Sequence, residues 1–148
     1  MRQFFAVLPL VLLAGCSSFR PDPEHITPVP GDRLLAYQEE HQNGGRLIVN
    51  RDMGLMGGGC YVAIEVDRKV AARIGMAEVA SFNVPAGTRV LGLTIDKMDD
   101  TLCGMGRLHK ELAVKVAPGS TQYFQVVSEN RGGFDIRPDA NPPQPLPQ

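Results

Sequence analysis

Three cysteines, three histidines and one knot of carboxylates are the residues in this 148-residue chain best suited to chemistry. A thiol can serve as nucleophile, soft-metal ligand or half of a disulfide, and spacing and surroundings decide among these. Cys16, Cys60 and Cys103 form no C-x-x-C and have no histidine at ligand spacing, so no zinc site is predicted. His25, His41 and His109 adjoin no serine or cysteine in a recognisable catalytic motif, and each reads as a solvated loop residue. Asp96-Lys97-Met98-Asp99-Asp100 brings three carboxylates near one another but lacks the ligand ladder of a calcium loop. It reads as a solvated hairpin tip, and Glu39-Glu40 reads likewise. Gly54 to Cys60, "GLMGGGC", has the glycines of a phosphate loop without the Lys-Ser/Thr ending. It leads into a strand, so no helix N-terminus waits for an anion. Catalytic residues, metal ligands and cofactors are therefore expected to be none.

The same glycine-rich loop carries Met53, Leu55 and Met56. If exposed, these would form an adaptable contact for a protein or an acyl chain; if tucked in, they cap the core. A formal net charge of −1 carries no basic excess, so nucleic acid is not an expected partner. Apart from Pro9, the prolines crowd into Pro21 to Pro30 and Pro138 to Pro147, leaving Pro85 and Pro118 between. That distribution describes a folded middle with two extended ends.

The elements that must position these residues have period two. Gly45 to Arg51, Tyr61 to Val66, Glu78 to Val84, Thr88 to Asp96, Lys110 to Val116, Thr121 to Glu129 and Gly133 to Pro138 all suit strands. Asp67-Arg68 makes a tight connection, so Cys60 to Ile74 is predicted to be a hairpin. Pro85-Ala86-Gly87 and Ala117-Pro118-Gly119 are predicted hairpin turns, proline presetting φ and glycine accepting positive φ. Val66 to Ala80 can also be drawn as an amphipathic helix, but Gly75 interrupts it and both flanks are strand-like. Arg33 to Gln38 suits a short strand or a helical turn equally. Seven to nine strands with Gly/Pro turns predict an all-β fold, a small antiparallel sandwich with one core.

Met1 to Gly15 has one charge, Arg2, then an apolar run from Phe4 to Ala14. That run is too short for a bilayer core, which takes about 20 apolar residues, and has the layout of a secretory signal peptide. Leu13-Ala14-Gly15-Cys16 resembles the lipobox of bacterial lipoproteins. The resemblance implies cleavage before Cys16 and a thioether from its sulfur to diacylglycerol. Two or more acyl chains, at ~0.8 kcal/mol per buried CH₂, anchor stably where one would be marginal. Ser17 stands where aspartate would favour inner-membrane retention, which implies the outer membrane, facing the periplasm. The expected organisation is a signal peptide at 1–15, a lipidated cysteine and tether at 16–31, a sandwich at 32–138 and a proline-rich disordered tail at 139–148.

Setting Cys16 aside leaves Cys60 and Cys103, an even pair in an oxidising compartment, which predicts one disulfide worth about 4 kcal/mol. Ile64 to Ala71, followed by Phe82 to Leu91, is similar to PEGA-type modules and a related bacterial lipoprotein family of unknown function. Those carry a v-x-v-D-G-k-x-v-a hairpin and then v-P-P/A-G-x-H-x-l. The likeness covers Arg46 to about Thr94, with Arg68 in place of the usual glycine and Arg89 in place of the usual histidine. It implies an Ig-like or transthyretin-like sandwich and no particular chemistry. The expected function is a non-catalytic binding or assembly module in the cell envelope, held to the membrane through Cys16 and meeting an envelope protein partner. The alternatives are an inhibitor or immunity-type periplasmic lipoprotein and an envelope hydrolase. A deep polar cleft would favour the hydrolase, and an apolar loop patch would favour a partner.

Overall fold

The computed structural model describes residues 18–54, 59–129 and 133–143. The period-two pattern becomes nine strands among these residues: β1 (Thr27–Pro28), β2 (Gly44–Arg51), β3 (Val62–Val66), β4 (Lys69–Ile74), β5 (Glu78–Pro85), β6 (Gly87–Ile95), β7 (His109–Val116), β8 (Thr121–Glu129) and β9 (Gly133–Pro138). One sheet has the order β1-β5-β2-β8-β9 and the other β4-β3-β6-β7. Together they form a small β-sandwich, with no α-helix among the described residues. The inward positions of each strand supply the core: Leu47 and Val49 of β2, Ile64 and Val66 of β3, Phe82 and Val84 of β5, Leu91 and Leu93 of β6 are all fully buried. Two pairings, β1 with β5 and β2 with β8, are parallel; the rest are antiparallel.

Val66 to Ala80 is strand on both sides of Gly75, as expected. β3 and β4 form the predicted hairpin. Both of its turn residues, Asp67 and Arg68, are left-handed (φ +48° and +64°), the conformation a two-residue type I′ turn demands. The Asp67 carboxylate holds that turn by accepting from the Val90 N–H and from Arg89, each at 3.0 Å.

The two Pro-Gly turns depart from expectation. Pro85-Ala86-Gly87 carries the chain from β5 in one sheet to β6 in the other, and Ala117-Pro118-Gly119 carries it from β7 back to β8. They are arches between sheets. Turn chemistry fixes the bend, while burial decides whether the departing strands pair or face each other, and these strands face each other.

Arg33 to Gln38 proves to be neither strand nor helix. A 3₁₀ turn at Gly31–Arg33 leads into an extended run whose Leu35 and Ala36 N–H groups both donate to the Ala71 carbonyl, at 2.8 and 3.2 Å. The run covers the outer edge of β4, which would otherwise be open to pairing. The proline-rich stretch before it, extended apart from a 3₁₀ turn at Pro23–His25, lies against the domain with Ile26 and Val29 buried. After β9, ordered contacts continue: the Asp139 N–H donates to the Tyr123 carbonyl at 2.8 Å, and Pro143 is buried.

Candidate functional site

One end of the sandwich gathers the Cys60 approach between β2 and β3, the turn between β4 and β5, the long connection between β6 and β7, and the start of β9. Cys60 and Cys103 are joined, their Cα atoms 5.4 Å apart, as the cysteine count predicted. The bridge spans 43 residues and ties the β2–β3 connection to the β6–β7 connection. Gly104 follows it, and a Cβ there would collide with the Asp99 carbonyl, so the loop closes only around glycine.

Beneath this end lies a set of arginines that no local motif announces. Arg51, in the last position of β2, donates to the Cys60 carbonyl at 2.7 Å and the Ile74 carbonyl at 2.8 Å, with its guanidinium over the Phe134 ring. Burial pushes its pKa down to about 10, which leaves it charged at neutral pH. Tyr61 lies under two guanidinium groups, Arg33 at 4.2 Å and Arg73 at 5.3 Å from the ring centroid. Arg33 binds Glu78 through two hydrogen bonds, and Arg73 binds Asp96 at 2.7 Å. Bonding to these carboxylates is the main cause that raises both guanidinium pKa values. Asp96 is therefore a buried ion-pair partner, its side chain 1% exposed, and not part of a solvated tip. Asp99 does cap its own loop, accepting from the Thr101 N–H and hydroxyl, and those bonds hold its carboxyl below the usual range.

The N-terminal segment joins the same end. The Phe19 N–H donates to the Met53 carbonyl and the Met53 N–H to the Phe19 carbonyl, each at 2.9 Å. Met53 is thus half-buried and held by backbone, whereas Leu55 and Met56 lie outside the described residues, as does Cys16. Arg20 then clamps the segment to the far end of the chain, reaching Asp139 at 2.8 Å, Gln125 at 2.9 Å and the Asn141 carbonyl at 2.7 Å. Asp52 sits beside this clamp. Burial pushes its carboxyl above the ordinary range, and the nearby Arg20 charge offsets part of that shift. A carboxyl raised on folding binds more protons in the native state just above its ordinary pKa, so stability falls as pH rises through that window. Asp52→Asn is accordingly expected to show a higher urea midpoint than the parent at pH 7. The gap should close once the pH drops below the ordinary carboxylate value, about 4.

Exposure is sorted by position. Among the described residues six large apolar side chains are exposed: Phe19 (55%), Tyr61 (36%), Met76 (36%), Met98 (62%), Met105 (72%) and Leu35 (41%). The first five sit on the disulfide end, and only Leu35 does not. Between the bridge, Tyr61, Met105, Leu108 and Phe134 runs an apolar groove of about 260 Å³. The opposite end, by contrast, has a polar hollow of about 320 Å³ among His41, Arg46 and Ser120. A third hollow, of about 550 Å³, lies over Glu65 and Glu111, but Glu111 there is already held by Arg68 and His109, each at 3.2 Å. His25 is exposed next to Asp22 and Glu24, and His41 is exposed.

No protein-family model matches the chain, and no curated protein matches it. None of the helices among the described residues is long and apolar enough to cross a membrane.

Proposed function

We propose that the protein is a lipid-anchored module of the bacterial cell envelope, held at the periplasmic face of the outer membrane, that works by contact through its disulfide end. The anchor follows from the short apolar run and the Leu13-Ala14-Gly15-Cys16 tetrapeptide, with Ser17 favouring the outer membrane. The single observation that carries the contact role is the collection of five exposed apolar side chains on one end. Scattered apolar residues are ordinary on a soluble domain, but a group on one rigid rim marks an interaction surface. The disulfide and the buried arginine set keep that rim in shape without occupying it. Methionines on it are unbranched and adapt to the surface they meet.

A photo-crosslinking amino acid placed at Met105 in the intact envelope tests this reading. Irradiation should yield adducts at position 105 and none from the same group at Ala117, on the opposite end. An adduct-free position 105 would remove the disulfide end as the working surface.

A further inference from the structure

We infer that the disulfide end rests on a phospholipid surface, the leaflet that holds the lipid on Cys16, with Phe19, Met98 and Met105 in the interface. This rests on the lipid-anchor reading above and names what the contact surface meets. The decisive feature is where the chain enters the domain. Ser18 donates its hydroxyl to the Met53 carbonyl at 3.2 Å, Phe19 is bonded to Met53 in both directions, and Arg20 is clamped to Asp139. The domain is therefore fixed to its N-terminal segment from residue 18 onward, at the disulfide end. Cys16 is two residues upstream, and two residues of fully extended chain span at most about 7 Å. A sulfur carrying acyl chains sits at the membrane surface, so residue 18 is held within about that distance of it and this end of the sandwich rests against the leaflet. No long free tether separates them, because the proline-rich stretch that follows runs along the domain and not between domain and lipid.

The composition of the rim agrees with that placement. Of the exposed apolar side chains, the one that lies elsewhere, Leu35, flanks β4. The loop that bears Met98 and Met105 has Lys97 and Arg107 against Asp99 and Asp100, so its charges balance. Contact is then apolar and insensitive to salt, unlike adsorption of a basic patch to anionic lipid. With this end down, the arches at Pro85-Ala86-Gly87 and Ala117-Pro118-Gly119 point away from the membrane.

The chain has no tryptophan, so single reporters can be introduced cleanly. The variants Met98→Trp, Met105→Trp and Ala117→Trp would be purified from membranes with their lipid. Each is then reconstituted into vesicles of phosphatidylethanolamine with a minor share of phosphatidylglycerol, made with and without brominated acyl chains. Emission from positions 98 and 105 should shift to the blue and be quenched at least about twofold by bromine, as expected for side chains seated at the headgroup–acyl boundary. Position 117 should stay unquenched, and raising the salt should change nothing. An unquenched position 105 in a protein whose intact mass includes acyl chains overturns the inference, leaves the anchor standing and makes a protein the occupant of the rim. A mass without acyl chains on Cys16 overturns the anchor itself, and the inference with it.

Discussion

Replacing Cys60 and Cys103 together by serine should lower the unfolding free energy by about 4 kcal/mol, the chain-entropy value for a loop of this length. The bridge closes 43 residues that include the β3–β4 hairpin, β5 and β6, so its loss frees most of one sheet in the unfolded ensemble. The Cα separation of 5.4 Å lies in the ordinary range, and the native loops need no distortion to make the bond. A domain of this size has a total stability of roughly 5–15 kcal/mol, so the change takes a large share of it. Urea unfolding with and without reductant measures the effect. Reductant should bring the parent down to the double variant and leave the double variant where it is. An unchanged parent midpoint, or two titratable thiols in the unfolded, non-reduced protein, would show that the staple is absent. The consequence for function is local: Met105 and the groove beside Tyr61 are positioned by two loops that only the bridge joins covalently.

Arg33→Ala is expected to cost about 2–3 kcal/mol. Its guanidinium meets Glu78 at 2.6 and 2.7 Å, donates to the Arg73 carbonyl at 3.0 Å and covers one face of Tyr61. Truncation leaves the Glu78 carboxylate with the Gly75 N–H, at 2.6 Å, as its remaining donor among the described residues. Breaking a fully buried pair costs about 3–5 kcal/mol, and here about a tenth of each side chain still touches water, which screens the loss to the bottom of that range or just below it. Arg33→Lys should recover little, because one ammonium cannot reproduce the two-pronged contact or the stacking on Tyr61. In a double-mutant cycle Arg33→Ala and Glu78→Ala should lose less together than the sum of their separate losses. Strict additivity would mean that the pair does not act as a unit.

The strands were legible because burial on one face of a sheet enforces alternation, and β5 shows it, with Ala80, Phe82 and Val84 buried and Ser81 and Asn83 more exposed between them. The bridge was legible because setting Cys16 aside, as the lipobox likeness implies, leaves an even pair of cysteines. The Asp67-Arg68 turn was legible from its place between two apolar runs. What escaped was everything set by topology. Arg33 and Glu78 are 45 residues apart, Arg73 and Asp96 are 23 apart, and Arg20 and Asp139 are 119 apart, so no window contains either partner's reason for being there. Asp96 looked solvated because its neighbours Lys97, Asp99 and Asp100 are polar, yet the end of β6 turns it inward onto Arg73. The two Pro-Gly turns showed their bend and concealed their destination, since hairpins and arches use the same residues. Of the candidate contact residues, Met53 is half-buried at the disulfide end and held by Phe19, and Leu55 and Met56 lie outside the described residues. Two of the exposed apolar side chains on the disulfide end, Met98 and Met105, are brought there by the return of the chain from β6 to β7. Prolines 21 to 30 signalled extension without saying that the extended chain would dock on β5.

Whether lipid on Cys16 holds the domain is settled by the intact mass of the protein extracted from membranes. The predicted species begins at Cys16 and carries the added mass of a diacylglyceryl thioether and an N-terminal acyl chain. A chain that retains Met1, or one whose Cys16 carries no acyl mass, would contradict it.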